Sequence, residues 1–211
     1  MAARGYISER TAASGRRRGL HRITRESMRF LAAALTGFLM LVAAHRLAAD
    51  DEPPLEYQVK AAFLLNFTKF VGWPSGAFAD SRSPLTICIL GEDPFGVVLD
   101  EIVRGESVDR RAVAVQRIRR PPEPRSCQIL YISRTTKDTG PMLSRVEPGV
   151  LTVGDGDEFL RQGGMVAFVL ENRRVRFDVN QMLAANAGLT LSSRLLMVAR
   201  VVRNNNQETR P

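Results

Sequence analysis

Four short apolar runs, at residues 85–90, 112–118, 127–132 and 150–153, recur along the chain, each bounded by turn residues. Runs of that length and setting read as strands. Helix-like stretches separate the first from the second and the third from the fourth. A chain that returns to the same sheet through a helix lays its strands parallel, with helices on the sheet faces. The runs are apolar almost throughout rather than alternating, as expected of strands buried on both sides. The expected fold is therefore α/β: a largely parallel central sheet with helices on both faces.

The remaining segments complete this layout. Residues 56–71 form a helix whose apolar side chains Val59, Phe63, Phe67 and Phe70 recur every three or four positions, with Leu64 and Leu65 beside them. Gly72-Trp73-Pro74 ends it, because Pro restricts the residue before it and carries no amide donor. Asp93-Pro94 is read as the cap of a helix over 95–103, and 138–146 as a weaker helix. Asp155 is read as the cap of a helix over 158–162, ended by Gly163-Gly164. Residues 165–170 and 173–179 form a hairpin around Glu171-Asn172, the antiparallel strand pair near the C-terminus. A helix over 180–187 follows, and Ser192-Ser193 starts a last one to about residue 202.

The first 49 residues read differently. Met28-Arg29, an apolar run over 30–44 and Leu47-Ala48-Ala49 ahead of Asp50-Asp51 have the order of a signal peptide, cleaved after Ala49. A membrane helix needs roughly 20 apolar residues, and His45-Arg46 interrupt this run sooner. The domain plan is an upstream extension over 1–27 from a misassigned start, a signal peptide over 28–49, a short linker over 50–54, one domain over 55–203 and a polar tail over 204–211, expected to fray. Arg16-Arg17-Arg18 offers a twin-arginine reading, but the apolar run begins too far downstream for it.

Removing the leader changes the charge argument. Residues 1–49 hold nine Arg and two Glu, a net +7 of the chain's +8. The exported part is close to neutral, so the basic composition gives no support for nucleic-acid binding, and Arg117, Arg119, Arg120 and Arg125 read as a solvated loop. Both histidines, His21 and His45, also lie in the leader. Histidine-dependent nucleophile activation, histidine-ligated zinc and imidazole acid–base chemistry are thereby excluded from the domain.

Motifs that suggest ligands are incomplete. Gly91-Glu92-Asp93-Pro94-Phe95-Gly96 sits where a phosphate loop would, but Val97-Val98 stand in place of its Lys-Ser/Thr. Gly154-Asp155-Gly156 lacks the third glycine of a dinucleotide fingerprint. Asp155 and Asp157 begin like a calcium loop, but Phe159 and Arg161 occupy later ligand positions. No cofactor or metal is expected. Cys88 and Cys127 fall in the first and third runs, which are neighbours in the usual doubly wound order. In an oxidising compartment they are expected to form a disulfide, with two buried free thiols as the alternative.

The candidates for a ligand- or partner-binding surface are Phe67, Trp73, Asp93, Phe95, Asp155, Arg176, Asn180 and Arg194. Aromatic anchors and forked guanidinium donors are the groups that such surfaces use. Trp73, between Gly72 and Pro74 at a helix end, is the aromatic expected to keep one accessible face.

The segments Tyr57-Gln58-Val59-Lys60-Ala61-Ala62-Phe63-Leu64-Leu65-Asn66-Phe67-Thr68-Lys69-Phe70-Val71-Gly72-Trp73-Pro74, Leu90-Gly91-Glu92-Asp93-Pro94-Phe95-Gly96, Leu151-Thr152-Val153-Gly154-Asp155, Gly163-Gly164-Met165-Val166-Ala167-Phe168, Val175-Arg176-Phe177-Asp178-Val179-Asn180 and Leu191-Ser192-Ser193-Arg194-Leu195-Leu196 together resemble the YfiR-like family. The resemblance covers nearly all of the exported part. It implies a periplasmic, often dimeric, non-enzymatic domain. The founding type represses a membrane-bound diguanylate cyclase by binding its periplasmic sensor domain, and its loss raises cyclic di-GMP. The expected partner is thus the periplasmic domain of such a cyclase or of a sensor kinase, with a homodimer and a small ligand as further partners. Cys88 and Cys127 match a family cysteine pair; a second pair near Gly163-Gly164-Met165 has no counterpart here. A competing class is a periplasmic sensor or carrier with a pocket at the carboxyl ends of the parallel strands. A carboxylate-based hydrolase would need an Asp/Glu pair converging in one pocket.

Overall fold

The computed structural model describes residues 54–123, 125–204 and 207–209. The upstream extension, the signal peptide and all but Pro54 of the linker lie outside the described residues.

Helix α1 (Leu55–Phe70) opens the domain, followed by β1 (Val71–Gly72), β2 (Leu85–Leu90), α2 (Val97–Val103), β3 (Ser107–Val108), β4 (Arg111–Ile118) and β5 (Ile129–Ile132). Then come α3 (Thr139–Leu143), β6 (Leu151–Asp155), α4 (Asp157–Arg161), β7 (Val166–Glu171), β8 (Arg174–Asn180), α5 (Gln181–Asn186), β9 (Thr190–Leu191), α6 (Ser193–Val198), β10 (Val201–Asn204) and β11 (Gln207–Thr209). The main sheet has the order β11-β10-β8-β7-β6-β5-β2-β4-β3, and β1 pairs separately with β9. The run from β4 through β7 is parallel throughout. β7 and β8 are antiparallel, as the hairpin reading required.

Successive side chains explain the continuous apolar runs. Ile87, Ile89, Ile129 and Tyr131 enter the larger core under α1 and α2, whereas Cys88, Leu90, Leu130 and Ile132 enter a smaller core with Leu143 of α3 and Phe159 and Leu160 of α4. Each central strand is apolar on both faces because each face is covered.

Several local expectations shift. α2 begins at Val97, because Gly96 has φ 52° and breaks the turn before it. Asp93 instead closes an Asx turn, its Oδ1 accepting from the amides of Phe95 and Gly96. The hairpin turn is Asn172-Arg173, both at positive φ, one residue later than read. The last helix ends at Val198, and Val201–Asn204 continue as a strand parallel to β8. The tail contributes edge strand β11, antiparallel to β10. The buried stripe of α1 is Lys60, Ala61, Leu64, Leu65, Phe67 and Thr68, which turns Val59 outward.

Candidate functional site

In parallel strand order β4-β2-β5-β6-β7 the chain reverses direction between β2 and β5, and ligands of such sheets bind outside the carboxyl ends at that reversal. Here the loop after β5 fills the position. The Ser133 amide and the Thr136 hydroxyl both donate to the Leu90 carbonyl. Thr136 Oγ1 would also lie 2.6 Å from a side chain at Gly91, whose φ is 92°. The open space is displaced to the ends of β5 and β6. One cleft of about 790 Å³ is lined by Ser133, Arg134, Asp138, Asp155, Asp157 and Arg161, among others. A smaller one of about 290 Å³ shares Arg134, Asp155 and Asp157 and adds Glu56, Lys60, Phe168 and Arg200.

Between them lies a buried ionic cluster. Lys60 is 2% exposed, and its ammonium donates to Asp155 Oδ1 and Glu56 Oε1, each at 2.5 Å. The Asp155 side chain is 3% exposed and accepts from the Tyr131 hydroxyl at its other oxygen. The Lys60 ammonium also stands 4.5 Å from the centre of the Tyr57 ring. Burial, followed by the negative charge of Asp155, pushes the Tyr131 hydroxyl far above its ordinary range. A second cluster at the same end joins Arg200 to Asp178, itself 1% exposed, through two nitrogens, with Asp157 at 3.5 Å. Its hydrogen bonds to Asp178 raise the pKa of Arg200 further. These paired charges satisfy one another and join α1, β5, β6, α4, β8 and the residue that precedes β10. A buried charge needs such a partner.

The sequence candidates distribute around this site unevenly. Asp155 is at its centre, which corrects its reading as an N-cap: Gly156 occupies that position and the carboxylate faces Lys60 and Tyr131. The reason is strand parity, since Asp155 follows Leu151 and Val153 on the larger-core face. Phe67 is fully buried among Phe63, Phe168 and Phe177, and Phe95 among Tyr57 and Tyr131. Neither has surface to offer. Trp73 is half-buried, and its indole donates to the Gln128 carbonyl at 3.1 Å. Asp93 accepts from Arg117, which also binds Asp100 and holds that carboxyl below the usual carboxylate range. Arg117 is thus an exposed but paired residue of β4 rather than part of a loop, while Arg119, Arg120 and Arg125 are exposed beyond that strand. Asn180 caps α5 by accepting from the Leu183 amide. Arg176 on β8 and Arg194 on α6 are exposed.

Lys60, Tyr131, Asp178 and Arg200 were not legible as site residues. The one local signal was Glu56 four positions before Lys60, which reads equally as a surface helix pair.

Cys88 and Cys127 form a disulfide, with Cα atoms 5.8 Å apart, on the smaller-core face. Among the described residues no helix is long and apolar enough to cross a membrane, and no group of His, Cys, Asp and Glu is placed to hold a metal ion.

A family model described as YfiR/HmsC-like matches residues 57–200. No curated protein matches the chain.

Proposed function

Since the chain belongs to the YfiR/HmsC-like family, we propose that it is a periplasmic, non-enzymatic regulator that binds the periplasmic sensor domain of a membrane signalling protein, a diguanylate cyclase or similar, and represses it. The observation that carries this reading is the extent of the family match, which runs from Tyr57 in α1 to Arg200 and includes Lys60, Tyr131, Asp155, Asp178 and Arg200 of the two charge clusters. The leader supports export: its basic start, apolar run and Ala49 have signal-peptide order. The absence of histidine after residue 49 agrees with a binding role. Of the sequence candidates, the exposed Arg176 and Arg194 are those we carry forward as partner-facing.

The experiment is a clean deletion with cyclic di-GMP measured in the cell. Removal of a repressor raises cyclic di-GMP, and the normal gene restores it. An unchanged or lowered level after deletion refutes the regulator reading.

The open cleft at the ends of β5 and β6 favours a second reading, a periplasmic sensor or carrier of a small polar ligand. Native mass spectrometry of protein purified from periplasm would show that ligand as an added mass. Mass of the polypeptide alone, with deletion raising cyclic di-GMP, would leave the regulator reading standing.

A further inference from the structure

The β7–β8 hairpin is longer than the sheet that holds it. β6 runs beside β7 only as far as Phe168, and β10 runs beside β8 only from Asp178 onward. Beyond those points Val169 pairs with Arg176, Leu170 with Val175 and Glu171 with Arg174, as a ribbon with no further strand on either edge among the described residues. A two-stranded ribbon alone is marginal in water.

The ribbon is also unusually basic. Arg173, Arg174 and Arg176 are exposed, and among the described residues no carboxylate lies within ion-pair distance of any of them. Glu171, the one acidic residue on the ribbon, stands 4.0 Å from Arg200 instead. Arg174 and Arg176 share one face by strand parity, Arg173 occupies the turn, and Leu170 on the opposite face is 58% exposed. Arg174 faces Glu171 across the ladder, but that carboxylate is paired with Arg200, so the three guanidiniums are left facing solvent.

The geometry points to residues 169–176 as a docking arm for a carboxylate-rich surface on a protein partner. The three guanidinium forks meet carboxylates there. A polypeptide is favoured over an anionic lipid surface because the open strand edges offer amide and carbonyl groups that another chain can pair with. The inference rests on the regulator reading and adds the chemistry of its contact.

The test uses the full-length gene at its own locus, with R173E/R174E/R176E and, as a milder variant, R173Q/R174Q/R176Q. Both should be exported and melt like the normal protein, because the replaced side chains touch solvent. In cells, R173E/R174E/R176E should leave cyclic di-GMP as high as the deletion does. In titration against the purified periplasmic domain of the cyclase that deletion activates, affinity should fall by about tenfold or more, and less with the glutamine variant. Full complementation and unchanged affinity in the two variants would overturn the inference while leaving the regulator reading intact. Loss of binding to vesicles of phosphatidylglycerol, with protein affinity unchanged, would overturn it in favour of lipid. No effect of the deletion itself would overturn both.

Discussion

Replacing Lys60 by Met tests whether the buried ionic cluster is held together as a pair of opposite charges. Met retains most of the aliphatic stem and removes the ammonium, leaving Asp155, 3% exposed, with the Tyr131 hydroxyl as its remaining donor in the cluster. Breaking a buried ion pair from one side costs about 3–5 kcal/mol, because the other charge stays buried. Glu56 is 29% exposed and can relax into water, and Tyr131 still covers one Asp155 oxygen. The expected loss is therefore at the lower end, about 3 kcal/mol. In a domain of this size that corresponds to a Tm lower by about 6–12 °C. Urea unfolding followed by circular dichroism, with the disulfide intact, gives the free energy directly. Lys60→Met combined with Asp155→Asn removes both charges, so the double variant should recover about 2 kcal/mol relative to the sum of the single losses. A loss below about 1 kcal/mol for Lys60→Met, or simple additivity in the double variant, would refute the reasoning.

Two further predictions concern the two faces of the sheet. Reducing the Cys88–Cys127 bond opens a loop closed over 39 residues of sequence separation, and should lower stability by roughly 4 kcal/mol on the chain-entropy model, read as a shifted urea midpoint with and without reductant. Tyr131 has a raised pKa in the folded state. Its contribution is thus complete below the pKa of about 10 of an unfolded tyrosine and declines as pH rises above it, where only the unfolded chain ionises. Tyr131→Phe should flatten the alkaline limb of stability between pH 9 and 11 relative to the normal protein, and an unchanged slope there would contradict the assignment.

Local chemistry made some elements easy to read. β2 spans Leu85–Leu90, the same residues as its apolar run, because both of its faces are covered and nothing polar interrupts it. The disulfide followed from strand order, since Ile129 of β5 lies beside Ile87 of β2 and brings Cys127 close to Cys88. α6 was overextended because Leu195 through Val202 keep a helical rhythm of apolar residues. Arg200 ends that rhythm: its side chain is drawn to Asp178 and its amide to the Phe177 carbonyl, which sets Val201 and Val202 beside β8. The candidate site was the least legible part. Lys60 and Asp155 are 95 residues apart, and only the completed sheet brings them together.

That separation bears on how the domain assembles. α1 leads the described chain, yet its Phe63 and Phe67 pack on Phe168 and Phe177, and Lys60 must wait for Asp155. Contacts so distant along the chain are slow to form, because loop entropy is lost before any of them is rewarded. A chain that emerges from its N-terminal end therefore presents α1 first and completes its surroundings last. In that interval Leu64, Leu65 and Phe67 are uncovered, so the first helix is the segment of the domain most dependent on holding chaperones until β8 arrives.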